Sequence, residues 1–94
     1  MSVVIVGGNE CMERRYKELC ESYRCSAKVF TKLRGGLKNK LGNPDLVILF
    51  TSTMSHKMLH GAMNEVDGQG TIVEHCKTSS LSALRSVLEK HVTT

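Results

Sequence analysis

Tryptophan is absent from this 94-residue chain, proline occurs once, and two Phe and two Tyr are its only Phe or Tyr residues. A core this poor in large rings has to be filled by aliphatic side chains and small thiols. No apolar run approaches the roughly 20 residues that span a bilayer. The apolar opening, Ser2 to Val6, is too short for the h-region of a signal peptide and lacks a basic lead-in. The expectation is a cytoplasmic protein with no membrane partner. Cys11, Cys20, Cys25 and Cys76 contain no C-x-x-C pair, which removes zinc-ribbon and thioredoxin-type motifs. G-x-G-x-x-G and G-x-x-x-x-G-K-[ST] are missing too, which argues against dinucleotide and P-loop chemistry.

What is present fits one small domain over 1–94. Chains of this size bury only about 60–65% of the surface that the unfolded chain exposes, so a homodimer is expected to supplement the core. Four Cys and four His are a surplus in so short a sequence, and the net charge is +4.

Hydrophobic periodicity gives the organisation. Ser2-Val-Val-Ile-Val6 is a continuous β-branched run ending at Gly7-Gly8-Asn9, the pattern of a strand buried on both faces. Met12, Tyr16, Leu19, Cys20 and Tyr23 then fall on one helical face, which predicts an amphipathic helix of about 14 residues capped by Asn9. A second strand is expected over Ala27 to Thr31, followed by a loop at Gly35-Gly36 with a weak helical turn near 37–41. Asn43-Pro44 ends that turn. Asp45 to Phe50 is the clearest strand, and a helix from about Ser55 to Val66 should bury Met58, Leu59, Ala62, Met63 and Val66. Thr71 to Val73 reads as a fourth strand, and a last helix from Ser79 or Ser80 should bury Leu81, Leu84, Val87 and Leu88.

Four strand-to-helix alternations predict an α/β fold, a small Rossmann-like or flavodoxin-like three-layer domain whose four parallel strands take the order 2-1-3-4. All loops leaving the C-terminal ends of the strands then share one rim, with the helix N-termini, and ligands bind there. That rim collects Gly7, Gly8, Asn9 and Glu10, then Lys32 and Arg34, then Thr51, Ser55 and His56, and finally His75, Cys76, Lys77, Ser79 and Ser80. Unpaired N–H groups and positive dipole ends make a small anion the expected ligand. Asn9, Ser55 and Ser79 are also ordinary N-cap types.

His56 and His60 are four apart on one helix side, and His75 and Cys76 enter from the next loop. Together they offer up to four ligands for a transition metal or haem. Cys11 has Lys17, not Arg, six positions on and so does not match a C-x₅-R phosphatase loop. Cys20 and Cys25 read as small core residues, and His91, near the end of the last helix, as incidental.

The order and spacing of Val-Ile-Val-Gly7-Gly8, Tyr16, Gly35-Gly36, Pro44-Asp45-Leu-Val-Ile, Thr51 through Ser55-His56, and Ser79-Ser80-Leu81 resemble the bacterial domain-of-unknown-function family 2325 over nearly the whole chain. The resemblance implies a small Rossmann-like domain with no established enzymatic activity and, in part of the family, a haem-linked or metal-linked regulatory role. Relatives carry His near the end of the second strand, where this chain has Thr31-Lys32-Leu33. Among the histidines the resemblance therefore carries over His56; His75 rests on its position alone.

The first expectation is thus a regulatory module binding haem, a metal ion or an anionic small molecule on the rim. A second is an enzyme acting on a phosphorylated or acidic small molecule, with His56 as acid and base. A third is a protein-interaction or nucleic-acid module using the basic stretch 24–40, which holds Arg24, Lys28, Lys32, Arg34, Lys38 and Lys40 and no acid. With only Phe30 interleaved, stacking on single strands has little support, and nucleic acid is not the favoured partner.

Overall fold

The computed structural model describes residues 1–31, 44–66 and 70–92. Within them the chain runs β1 (Ser2–Gly7), a 3-10 turn (Glu10–Met12), α1 (Glu13–Ser22), β2 (Ser26–Phe30), β3 (Leu46–Phe50), a 3-10 turn (Thr51–Thr53), α2 (His56–Val66), β4 (Ile72–Cys76) and α3 (Leu81–His91). The strands form one parallel sheet in the order β2-β1-β3-β4, as the alternation predicts.

The β-branched run of β1 sits at the centre, where both faces are covered. Val3, Ile5, Leu46, Ile48 and Phe50 pack on one face with Tyr16 and Cys20 of α1 and with Leu84, Val87 and Leu88 of α3. Val4, Val6, Val47 and Leu49 pack on the other with Ala62 of α2, flanked by Met54, Met58 and Leu59. Two helices over one face and one over the other make the three-layer Rossmann-like arrangement. Asp45 closes the N-terminal end of the sheet, its Oδ2 accepting from the Ser2 N–H at 2.8 Å.

Several boundaries differ from expectation. The helix after β1 is 10 residues long, because Asn9 caps the preceding 3-10 turn through Oδ1 to the Cys11 N–H at 3.0 Å. β2 begins one residue earlier than expected and ends at Phe30. β4 extends through Glu74, His75 and Cys76, whose polarity hid an edge strand from the periodicity. Met63, expected to be buried, is 43% exposed on α2. The turn expected at 37–41 and the Gly35-Gly36 loop lie outside the described residues.

Helix α1 ends in a Schellman motif. The Cys25 N–H donates to the Cys20 carbonyl at 2.9 Å and the Arg24 N–H to the Glu21 carbonyl at 2.9 Å. Arg24 takes the left-handed position between them with φ 60°, where glycine is the usual residue. None of the helices in the described residues is long and apolar enough to cross a membrane.

Candidate functional site

At the C-terminal edge of the sheet the loops after β1, β3 and β4 are tied to one another. Gly7 and Gly8 have φ of 87° and 88°, accessible to glycine but costly for other residues. A Cβ on Gly8 would lie 2.9 Å from the Tyr16 ring and 3.0 Å from that of Phe50, and one on Gly7 2.9 Å from Met54 and Thr53. The glycines therefore let β1 turn directly over the Tyr16–Phe50 pair, whose ring centroids are 5.3 Å apart. The Gly8 N–H donates to Thr53 Oγ1 at 2.7 Å, and that hydroxyl donates to the Phe50 carbonyl at 2.9 Å. This closes the crevice between the first and third strands, where doubly wound sheets usually admit a ligand.

Tyr16 supplies a second tie that its helical spacing did not announce. Its hydroxyl donates to the Ser79 carbonyl at 2.6 Å and accepts from the Asn9 N–H at 3.3 Å. The buried ring thus fixes the loop after β1 against the approach to α3. Thr51 Oγ1 donates to the Cys76 carbonyl at 3.3 Å and joins the loop after β3 to the end of β4.

The hydroxyls at the helix starts are caps. Ser55 Oγ accepts from the Met58 N–H at 3.2 Å, and Ser80 Oγ accepts from the Ala83 N–H at 3.2 Å. Caps of this kind satisfy one of the orphan N–H groups of a first turn and leave the others facing the rim. Ser79 takes part through its backbone carbonyl. The loops into α2 and α3 carry no acid, since no Asp or Glu lies between Asp45 and Glu65 or between Glu74 and Glu89, and Lys57 and Lys77 are exposed there; the loop after β1 contributes Glu10. Lys32 and Arg34, expected to add to this charge, lie outside the described residues.

The four candidate metal ligands are not brought together. His56 and His60 are exposed on α2. His75 and Cys76 belong to β4 rather than to the loop after it, so they point to opposite faces of the sheet. His75 pairs in register with Leu49, on the side that α2 covers, and is exposed. Cys76 packs into the core on the side of α1 and α3, where burial pushes its thiol pKa up. Among the described residues no three His, Cys, Asp or Glu side chains are placed to hold one metal ion. Among the described residues the four are therefore not gathered around one point, and His56, His60 and His75 lie at the surface.

His91 is not incidental, contrary to expectation. Its Nε2 lies 2.7 Å from Glu74 Oε1, with Lys90 Nζ 3.3 Å from the same oxygen. The hydrogen bond from His91, with Lys90 adding to it against some desolvation, holds the Glu74 carboxyl below its usual pKa. The pair staples the end of α3 to the middle of β4, at a distance from the rim glycines. No short sequence motif marks it, since the partners are 17 residues apart.

The chain belongs to the DUF2325 family, described as "Uncharacterized protein conserved in bacteria", whose model matches residues 2–91. No curated protein and no solved structure matches the chain.

Proposed function

We propose that this protein is a small ligand-binding, regulatory module that takes an anionic small molecule, carrying a phosphate or carboxylate, at the C-terminal rim of its sheet. The observation that carries the reading is that α2 and α3 both start at the C-terminal edge of the sheet, one on each face, with Lys57 and Lys77 exposed beside them and no acidic residue in the loops that lead into either helix. Each helix start offers N–H groups and a positive dipole end, and both favour negative charge. Gly7, Gly8, Asn9 and Thr51 serve that rim by fixing the loops, and Ser55 and Ser80 by capping the helices. Binding is preferred over catalysis because the His56 ring has no hydrogen-bond partner among the described residues, so no orienting group prepares it as an acid or base. Haem or a metal ion would use His56 and His60 from this chain and would need its remaining ligands from elsewhere.

Titration of the labelled protein with inorganic phosphate and with a nucleoside monophosphate, followed residue by residue by NMR, tests the reading. The expected result is saturable shifts at 56–58 and 80–83 that weaken several-fold in Lys57→Ala and Lys77→Ala and as salt is raised. Shifts that do not saturate, or that ignore both lysines, would overturn it. Parallel titrations with haemin and Zn²⁺ against His56→Ala and His60→Ala separate the alternatives: tight, histidine-dependent uptake without phosphate binding would replace the anion by a cofactor.

A further inference from the structure

The Schellman motif that ends α1 places a cysteine at each of the two positions whose side chains such a motif brings into contact. Cys20 occupies the third position from the helix end and Cys25 the second position beyond it. In other helices this contact is made by two apolar residues; here both positions hold thiols, and both belong to the same buried cluster. The 2.9 Å hydrogen bond from the Cys25 N–H to the Cys20 carbonyl, taken with standard bond lengths, bounds the Cα separation at about 6.8 Å, within the range that a disulfide spans. The sulfurs are also electrostatically coupled, since charge on Cys25 helps burial raise the Cys20 thiol to about 12.

We propose that Cys20 and Cys25 form an intramolecular disulfide site, oxidised by a peroxide and reopened by a thiol reductant. Both side chains are buried, Cys20 at 0% and Cys25 at 4% exposure, so larger oxidants are excluded and a molecule the size of hydrogen peroxide is selected. Cys25, the more accessible of the two, reacts first. Its sulfur attacks one peroxide oxygen, the O–O bond breaks, and one water leaves with the sulfenic acid formed. The Cys20 sulfur then attacks the Cys25 sulfur, the S–O bond breaks, and the hydroxide departs with the thiol proton as a second water. Two thiols lose two electrons and the peroxide gains them. The product fastens the end of α1 to the start of edge strand β2 across Arg24.

Arg24 also makes the product easy to read. Trypsin cuts after Lys17, Arg24 and Lys28, so Cys20 and Cys25 fall on separate peptides, 18–24 and 25–28. The folded full-length chain is treated with increasing hydrogen peroxide until Cys11, the exposed thiol, is consumed. It is then denatured, alkylated, digested and mapped. The expected result is a species joining peptides 18–24 and 25–28, lighter than their sum by about 2 Da and abolished by dithiothreitol. A Cys11→Ser chain should give the same linked pair as a monomer. Recovery of both peptides as alkylated free thiols after Cys11 has been consumed would overturn the proposal, as would linkage of either cysteine mainly to Cys11 or Cys76. The measurement uses the native cysteines at 20 and 25, so it does not depend on a core variant that fails to fold.

Discussion

The hydroxyl of Tyr16 donates a 2.6 Å hydrogen bond to the carbonyl of Ser79, 63 residues along the chain. The same oxygen accepts from the Asn9 N–H, so one phenol holds two of the loops that make the rim. Its ring is fully buried and cannot move to follow them.

Tyr16→Phe keeps the ring and removes both bonds. With a half-buried carbonyl and N–H left unsatisfied, the variant should lose about 1–2 kcal/mol in urea denaturation. Backbone shift changes should be concentrated at 8–10 and 78–81. An unchanged midpoint would show that water replaces the phenol at no cost.

Gly8→Ala meets both a positive φ and the rings of Tyr16 and Phe50 at 2.9–3.0 Å. Strain and overpacking together should cost roughly 2–4 kcal/mol. Gly61→Ala is the opposite case, since it lies inside α2 with open space where the methyl would go. It should stabilise the fold by about 0.5–1 kcal/mol through helix propensity. Thermal unfolding of the two variants should therefore move in opposite directions.

Arg24→Gly relieves a non-glycine residue at φ 60° in the cap of α1. The change should raise stability by up to about 1 kcal/mol, the left-handed penalty less the added freedom of the unfolded chain. Arg24→Val should lower it by more, because branching at Cβ is least tolerated there.

Glu74 carries a pH dependence whose sign follows from its partners. Its pKa is lowered in the folded chain by the hydrogen bond to His91 and by Lys90, so folding favours the carboxylate. The stabilisation is present above the unfolded value of about 4.3 and is lost as pH falls through the lower folded value. Glu74→Gln should flatten that part of the acid limb in a stability–pH series. An identical acid limb in both proteins would show that the staple is not coupled to folding.

The sheet order was legible because it depends on features that single stretches of sequence carry: the β-branched Ser2–Gly7 strand, the apolar Leu46–Phe50 strand, and helical periods between strands. The end of β4 was not legible, because an edge strand with one open side can carry Glu74 and His75, and its alternation does not resemble a buried run. Sequence alone therefore groups His75 and Cys76 as neighbours in a loop, whereas consecutive strand residues face opposite ways. Helical spacing marks Tyr16 as a core residue of α1, yet its hydroxyl bonds depend on tertiary placement that periodicity does not encode. The Cys20–Cys25 pair leaves no mark in the sequence for a related reason. Cys-x-x-Cys spacing puts two thiols on adjacent helical turns, whereas the backbones of these two come together only because Arg24 reverses the chain between them.

The two edge strands share a further property. β2 and β4 are each five residues long, and each has a charged side chain at its midpoint, Lys28 in one and Glu74 in the other. An open strand edge is a template for aggregation, and a charge at its centre would have to be desolvated by any strand that tried to extend the sheet. Glu74 acts in this way only while it is ionised. The bonds from His91 and Lys90 that hold its carboxyl below the usual range therefore also prolong this guard as pH falls, and its protonation would release the end of α3 and discharge the β4 edge at one step.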